Sequence, residues 1–235
     1  MKFTMPVVPG IILKRYKRFL ADVKIAEGEA VTAHVANTGS MATCWEEGWP
    51  VVLTRHDNPR RKLKYSLEMT SNGKSWIGVN TSITSKLAVE AIQNGSISEL
   101  QGYQVIRPEA SVGNSRIDLL LESEAPRERC YVEIKNVTLR DKEGEASFPD
   151  AVTLRGQKHL RELTRLKKKG LRAVMLYVIQ REDVSVFAPA WERDPEYCRL
   201  LVEAIKAGVE VLPYQCSLKP TEIMIKKPLT GRLTR

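Results

Sequence analysis

The sequence predicts an α+β protein of two domains, an all-β N-terminal domain and an α/β C-terminal domain with a mixed sheet. Short apolar segments alternate with polar residues through the first 80 residues, which is typical of half-buried strands. Helical apolar spacing and continuous apolar runs then follow one another, which is typical of helices packed on a sheet. A chain of 235 residues can bury two such cores. We therefore expect one domain over residues 1–80, a second over residues 81–216 and a basic tail over residues 217–235.

Five strands are predicted in the N-terminal domain. They cover residues 19–25, 31–35, 49–54, 64–70 and 74–79. Asn72-Gly73, between the last two, is a strong signal for a two-residue hairpin turn. Residues 1–13 are mildly apolar but are interrupted by Pro6 and Pro9, and a basic cluster follows them, which is the wrong order for a signal peptide. Five short strands that close on themselves form an oligonucleotide-binding (OB) barrel, a fold that holds single strands in a basic groove.

The C-terminal domain is predicted to begin with the order α-β-β-β-α-β, followed by one more helix and strand. Helices are expected at residues 82–94, 153–169 and 195–207, and strands at residues 103–108, 116–121, 130–137, 173–179 and 209–214. Ser82 is expected to cap the first helix and Gly95 to end it. Residues 141–149 are predicted to form a polar loop. The tail from residue 217 is compatible with a short helix, a mobile basic arm or a solubilising terminus.

Two neighbouring strands carry the residues with the clearest chemistry. Asp118 lies in one apolar run, and Glu133 and Lys135 alternate with apolar residues in the next. Side chains two residues apart in a strand point to the same side, so Glu133 and Lys135 share a face, and a hairpin of suitable register adds Asp118. Two carboxylates and an ammonium would then converge, which is the outline of a metal site. The alternative is a cross-strand salt bridge on an exposed sheet face.

The composition favours an anionic partner and a reducing compartment. The net charge is +9, the isoelectric point is about 9.4, and residues 1–80 are the more basic part with 12 Lys and Arg against 7 Asp and Glu. The four cysteines are scattered without a CxxC pair, so neither a zinc site nor a disulfide framework is expected, and a cytoplasmic location fits. No apolar run approaches the roughly 20 residues that cross a bilayer, so no membrane association is expected.

Basic residues in three clusters, and one beside Asp118, are candidates for binding nucleic acid. The candidates are Arg15, Lys17, Arg18, Arg60, Arg61, Lys62, Arg116, Lys158, Arg161 and Arg165. Two clusters interleave charge with tyrosine, and the third follows one face of the helix at residues 153–169. Solvated protein surface is an equally good interpretation. His159, on the same helix, is predicted to be a surface or packing residue, because His34 and His56 are too distant in sequence to suggest a cluster.

The spacing of Asp118 and Glu133-Ile134-Lys135 resembles the core of the PD-(D/E)xK nucleases, with Ile117 where the name pattern has proline. From about residue 11 to residue 214 the chain resembles the sugar fermentation stimulation protein A (SfsA) family. The peptides that carry this resemblance are FLADV (19–23), NTG (37–39), VNT (79–81), SRID (115–118) and GQKHL (156–160). The resemblance implies an OB barrel, a nuclease-like α/β domain, DNA binding and a regulatory link to sugar metabolism.

The nuclease resemblance also makes chemical sense of the candidate site. Asp118 and Glu133 offer the hard oxygen ligands that Mg²⁺ or Mn²⁺ prefers, and the carbonyl of Ile134 could add a third. Lys135 would orient the attacking water and stabilise charge on the phosphate, and Gln157 matches the helix glutamine that some branches of the superfamily place near the metal. An acidic residue of the preceding helix often completes such sites, and Glu90 is preferred to Glu99 because it lies within the helix. No organic cofactor is expected.

Three functions remain open. The first is a metal-dependent DNA nuclease, and the second is a non-catalytic DNA-binding regulator of sugar metabolism genes that retains a nuclease fold. Both predict DNA affinity that falls steeply with added salt, on single-stranded or structured DNA. The third is a barrel that binds an acidic protein or an oligosaccharide. A dimer is compatible with the sequence.

Overall fold

A computed structural model describes residues 1–112, 115–125 and 127–234. Six strands form the N-terminal sheet: β1 (Val7–Tyr16), β2 (Leu20–Ile25), β3 (Ala30–His34), β4 (Pro50–Arg55), β5 (Tyr65–Ser71) and β6 (Trp76–Gly78). Their order is β3-β2-β1-β4-β5-β6, and β3 also pairs with β5. This last pairing, through Ala33 and Tyr65, closes five strands into the predicted OB barrel.

The five strands that close the barrel are not the five predicted ones. Strand β1 was missed, and the predicted strand at residues 74–79 corresponds to β6, which pairs only with β5 inside the N-terminal sheet. Ile12 is the one fully buried residue of β1. Because burial does not alternate along β1 and two prolines fall in or beside it, its sequence lacks the period of a typical strand.

The C-terminal domain holds the remaining strands and three helices. The strands are β7 (Val105–Val112), β8 (Ser115–Glu124), β9 (Arg127–Val137), β10 (Leu139–Lys142), β11 (Gly144–Phe148), β12 (Arg172–Ile179), β13 (Val184–Pro189), β14 (Glu210–Lys219), β15 (Glu222–Pro228) and β16 (Thr230–Gly231). The helices are α1 (Thr84–Gln93), α2 (Leu154–Lys168) and α3 (Pro195–Lys206). The main sheet has the order β15-β14-β12-β9-β8-β7, and β10, β11, β13 and β16 form a second sheet. Strands β9, β12 and β14 are parallel and the outer pairs are antiparallel, so the main sheet is mixed as predicted.

The main sheet is covered on both faces. Helix α1 packs on one face, where Leu87 and Ala91 belong to the same core as Val132 of β9. Helices α2 and α3 cover the other face, where Leu160 shares a core with Tyr131 of β9. Since side chains alternate along a strand, the odd-numbered residues from 131 to 137, Glu133 and Lys135 among them, lie on the α2 side.

Three sequence-based expectations about the C-terminal domain were wrong. Residues 141–149 are not a loop, because β10 and β11 form an antiparallel hairpin there whose charged, partly exposed side chains resemble loop composition. The segment from residue 217 is not a separate tail, because β15 pairs with β14 and buries Ile223 and Ile225 in the core of the main sheet. Ser82 does not cap α1; it lies in a short 3₁₀ turn, and the Asn80 side chain accepts the hydrogen bond from its backbone N–H at 3.0 Å.

The two domains meet at a buried junction centred on Arg181. Its side chain is 1% exposed, donates two hydrogen bonds to Asp183 at 2.7 and 2.8 Å, and donates to the carbonyl of Thr138. It also donates to the hydroxyl of Thr43 in the barrel domain at 3.2 Å. Beside it, the backbone N–H of Gly78 in β6 donates to the carbonyl of Gln180 at 2.8 Å. The junction therefore holds the barrel against the end of β9, the strand that carries Glu133 and Lys135.

Within the part of the chain that the structure describes, no helix has the length and apolar character needed to cross a bilayer.

Candidate functional site

The hairpin of β8 and β9 brings Asp118 and Glu133 together. The paired residues run from Leu119 and Val132 to Glu124 and Arg127 at the turn, so the backbone pairing ends one residue short of Asp118. The Asp118 side chain continues the contact between the strands, because its Oδ2 accepts a hydrogen bond from the backbone N–H of Ile134 at 2.8 Å. The predicted convergence of the two carboxylates thus follows from the hairpin register.

Glu133 is the centre of a buried polar cluster. Its side chain is 1% exposed, and Oε1 accepts a hydrogen bond from Lys135 Nζ at 2.6 Å and forms another with His159 Nδ1. Lys135 Nζ also lies 3.1 Å from His159 Nδ1. The second oxygen, Oε2, is buried and has no hydrogen-bond partner among the described residues. One oxygen of Glu133 is therefore shared by two nitrogens, and the other is left for a ligand.

The pKa values of the two carboxylates are shifted in opposite directions. Burial raises the pKa of Asp118, and the neighbouring charge of Glu133 raises it further. Burial would also raise the pKa of Glu133, but the hydrogen bond with His159 and the charge of Lys135 outweigh it, so its pKa lies below the ordinary value. Glu133 is thus ionised at neutral pH, and its charge disfavours ionisation of Asp118.

A hard divalent cation fits this donor set. It would contact the orphaned Oε2 of Glu133 and offset the repulsion that raises the pKa of Asp118. Among the residues that the structure describes, no cluster of three or more His, Cys, Asp or Glu has the geometry of a metal site. The protein would therefore contribute Asp118 and Glu133, with backbone oxygen, water or substrate completing the shell, as is usual for Mg²⁺.

The structure does not bring the predicted third carboxylate to this site. Glu90 lies on α1, on the opposite face of the sheet, and forms an ion pair with the amino group of Met1 at 2.9 Å. Glu99 accepts a hydrogen bond from Tyr214 at 2.5 Å. The expectation rested on the position of Glu90 in the helix before the strands. It did not account for the face of the sheet on which α1 packs, which keeps Glu90 away from Asp118 and Glu133.

On helix α2, His159 rather than Gln157 contacts Glu133 and Lys135. Gln157 is buried, and its amide nitrogen lies 3.1 Å from both carboxylate oxygens of Asp194. His159 is 11% exposed and contacts Glu133 and Lys135. The signal for His159 was available in the sequence, because Gly156, His159 and Leu163 follow i, i+3, i+7 and so share the buried helix face.

The predicted nucleic-acid-binding cations divide into two groups. Arg15 holds a loop, since its NH2 donates to the carbonyls of Arg18, Asn37 and Gly39 at 3.0 Å each. Four others are also engaged: Arg61 with Ser66, Arg116 with Glu109, Arg161 with Glu196 and Arg165 with Glu162. The remaining five, for which no ion pair is found within the described residues, are exposed: Lys17, Arg18, Arg60, Lys62 and Lys158.

Comparison with known proteins agrees with this architecture in both domains. Residues 13–79 match the family model described as "SfsA N-terminal OB domain", and residues 82–222 match "Sugar fermentation stimulation protein RE domain". The fold and the matches define a two-domain protein in which an OB barrel precedes an α/β domain that matches the model of the RE domain.

Whole-chain similarity identifies the family. The chain is 51% identical over 235 residues to a sugar fermentation stimulation protein homolog of Geotalea uraniireducens, covering 99% of this chain and 100% of the relative. It is 48% identical to the homolog of Maricaulis maris, covering 100% of both. The structure of Pyrococcus furiosus SfsA in complex with Ca²⁺ superposes with a TM-score of 0.88 at 30% identity, covering 99% of this chain and 98% of that one. The chain belongs to the SfsA family, which confirms the resemblance inferred from the sequence.

Proposed function

We propose that this SfsA-family protein is a DNA phosphodiesterase that depends on Mg²⁺ or Mn²⁺. The observation that carries the proposal is the buried, unpartnered Oε2 of Glu133 beside Asp118, with Lys135 fixed on the other oxygen. A buried carboxylate oxygen without a partner is costly unless something positive occupies the space in front of it. The Ca²⁺ named for Pyrococcus furiosus SfsA is a divalent cation with the same preference for oxygen ligands.

The residues of the site have separable roles in this proposal. Asp118 and Glu133 hold the cation, which when bound polarises a phosphate oxygen and acidifies water. Lys135, positioned by Glu133, orients the attacking water and stabilises negative charge that develops on the phosphate. His159 fixes the Glu133 carboxylate through Nδ1. These residues lie on two strands and one helix, which are rigid supports for such geometry.

DNA is the proposed substrate because two features of the chain suit a polyanion. An OB barrel is a common single-strand-binding fold, and the net charge of +9 includes exposed cations on the barrel and on α2. Lys158, one residue before His159, would contact backbone phosphates next to the site.

A non-catalytic DNA-binding regulator of sugar metabolism genes is the second candidate. The observation that favours it is the small number of ligands on the α2 face: Glu90 lies across the sheet and Gln157 is engaged by Asp194. Such a protein would bind DNA without cutting it.

The test is cleavage of single-stranded, nicked and branched DNA with Mg²⁺ or Mn²⁺. We expect product from the unaltered protein and a loss of at least about a hundredfold in rate for Glu133→Ala and Lys135→Ala, since each removes a group that acts on the transferred charge. Glu90→Ala is the matched control and should retain activity, because that carboxylate is on the other face. If the unaltered protein binds all three DNAs but cuts none, the regulator is the better description.

A further inference from the structure

The three most exposed large hydrophobic side chains among the described residues are Phe19, Val152 and Leu154, which we call the apolar rim. They are 47%, 67% and 75% exposed, whereas Ile11, Val105 and Met224 range from 36% to 39%. Single exposed apolar side chains are ordinary on a protein surface. These three, however, come from both domains, and each lies within four residues of a group that is held at the loop of residues 37–40.

On the barrel side, Phe19 follows Lys17 and Arg18 in the turn between β1 and β2. Arg15 ties this turn to the loop at residues 37–40, because one of its nitrogens donates to the carbonyls of both Arg18 and Gly39 at 3.0 Å. Two carbonyls that share a nitrogen lie within about 6 Å of each other. The phenylalanine turn and the loop are therefore held side by side.

On the α/β side, the same loop contacts the segment that leads into α2. Asp150 Oδ2 accepts hydrogen bonds from the backbone N–H of Ser40 at 2.9 Å and from its hydroxyl at 3.3 Å. A Cβ on Gly39 would lie 2.4 Å from that carboxylate oxygen, so a larger residue at this position would displace the Asp150 side chain. Val152 follows two residues later and Leu154 begins α2. The loop at residues 37–40 thus contacts both the phenylalanine turn and the segment that leads into α2.

Beside the contact between Ser40 and Asp150 lies a cavity of about 190 Å³. Its lining includes Asn37, Thr38, Thr81, Asn136, Ser147 and the carboxylate-bearing Asp150. Amide and hydroxyl groups suit the edge of a nucleobase, and a carboxylate can accept a hydrogen bond from an exocyclic amino group. The cations Lys17, Arg18, Arg155 and Lys158 flank the apolar rim and suit the phosphates on either side.

Helix α2 connects the apolar rim to the metal site. Leu154 and His159 are five residues apart, which is about 7.5 Å along a helix axis, or roughly two stacked nucleotides. Arg155 Nε lies 3.5 Å from His159 Nε2, and His159 contacts Glu133. A base at the rim would therefore be a near neighbour of a phosphate at Asp118 and Glu133.

We propose that the apolar rim stacks on unpaired bases next to the phosphate held at the metal site, so that the substrate class is DNA with unstacked nucleotides. The inference rests on the proposed function for DNA as the ligand. In a continuous duplex the base faces are stacked on one another, and the three side chains would stay in water. Unpaired bases bury that apolar surface and reach the hydrogen-bonding groups of the cavity.

The test compares two DNAs in EDTA, by fluorescence anisotropy at one salt concentration: a paired duplex, and the same duplex with a short central run of unpaired thymines. We expect the unaltered protein to prefer the second. The triple variant Phe19→Ser, Val152→Ser, Leu154→Ser should lose that preference by about tenfold or more, with duplex affinity unchanged within about twofold. The control Ile11→Ser, Val105→Ser, Met224→Ser, which removes equally many exposed apolar side chains elsewhere, should keep it.

Equal affinity of the unaltered protein for both DNAs overturns the inference, as does a triple variant that behaves like its control. If thermal unfolding shows the triple variant to be unfolded, Leu154→Ser alone, at the most exposed position, provides the same comparison. This binding assay contains no metal, so its result does not depend on cleavage. Failure to cut DNA in the cleavage test would therefore contradict the proposed enzyme without affecting this preference. Failure to bind either DNA removes the ligand that both proposals share.

Discussion

Two buried glutamates show how neighbours decide the cost of burying a charge. Glu68 in the barrel is 4% exposed, and its carboxylate accepts hydrogen bonds from neutral groups, Thr54 Oγ1 at 2.7 Å and Asn80 Nδ2 at 2.8 Å. Burial dominates there and raises the pKa of Glu68. Glu133 is as buried, but the hydrogen bond with His159 and the charge of Lys135 lower its pKa. Burial alone therefore does not predict which carboxylate is ionised.

Glu68 yields a prediction about stability and pH. Because its pKa is higher in the folded protein than in the unfolded chain, the folded state binds the proton more tightly. Its contribution to stability is present below the unfolded pKa and is lost as pH rises through the folded pKa. As pH rises from about 4 through the folded pKa of Glu68, the unfolding free energy of the unaltered protein should therefore fall relative to Glu68→Gln, by about 1.4 kcal/mol for each unit of pKa difference. Urea denaturation across this range measures it, and a difference that does not change with pH would contradict the prediction.

At the scale of elements, one carboxylate joins the N-termini of two helices. Asp194 caps α3 by accepting from the backbone N–H of Tyr197 at 3.0 Å, and accepts from the backbone N–H of Thr153, the cap residue of α2, at 2.9 Å. It also accepts a hydrogen bond from the amide nitrogen of Gln157. Burial opposes ionisation of Asp194, but these hydrogen bonds outweigh it and lower its pKa. The start of α2, and with it Leu154 and His159, is thus fixed through α3.

Removing this carboxylate should destabilise the protein more than removing a single cap. For Asp194→Ala we expect a loss of about 2–4 kcal/mol in the free energy of unfolding, because a cap is lost and two further buried donors are left without their acceptor. Thr153→Ala, which removes only the side-chain bond to the Gly156 N–H at 3.0 Å, should cost about 1 kcal/mol. Guanidinium denaturation of both variants makes the comparison. Equal losses would show that Asp194 acts only as the α3 cap.

At the scale of the whole molecule, the buried guanidinium of Arg181 couples the domains. Asp183, its ion-pair partner, also accepts from Asn72 Nδ2 in the barrel at 2.9 Å, and Arg181 itself donates to Thr43. Side chains of both domains therefore depend on one charge pair.

Arg181→Met should uncouple the two domains. We expect a loss of about 3–5 kcal/mol, because Asp183 would be left buried without its strongest partner, and a single unfolding transition should separate into two. Arg140→Ala is the matched control: Arg140 reaches the same carboxylate at 3.4 Å and is 26% exposed, so its loss should cost under about 1 kcal/mol. Calorimetry and denaturant melts followed by two probes report both effects. A variant that still unfolds in one transition, with little loss of stability, would contradict this role.

Local sequence patterns predicted the elements that carry the site. Period-two alternation placed Glu133 and Lys135 on one face, and the register of the hairpin added Asp118, because strand geometry is set by neighbours in the chain. The helix predicted at residues 153–169 is α2 with its two cap residues, since Thr153 and a helical apolar period mark its start and course. The short alternating strands predicted the OB barrel, and the family resemblance supplied the family; both are confirmed.

What the tertiary structure alone decided concerns groups that are distant in sequence. The nuclease resemblance made Glu90 a candidate ligand, and the spacing of the histidines made His159 a packing residue. Because α1 and α2 lie on opposite faces of the sheet, Glu90 is kept away from Glu133 and His159 contacts it. Likewise, Arg15 and Lys17 belong to one basic cluster in the sequence, but only Arg15 is turned toward the carbonyls of a loop. Sequence periodicity determines which face a side chain occupies, and packing between elements determines what it meets there, because that depends on crossings between segments far apart in the chain.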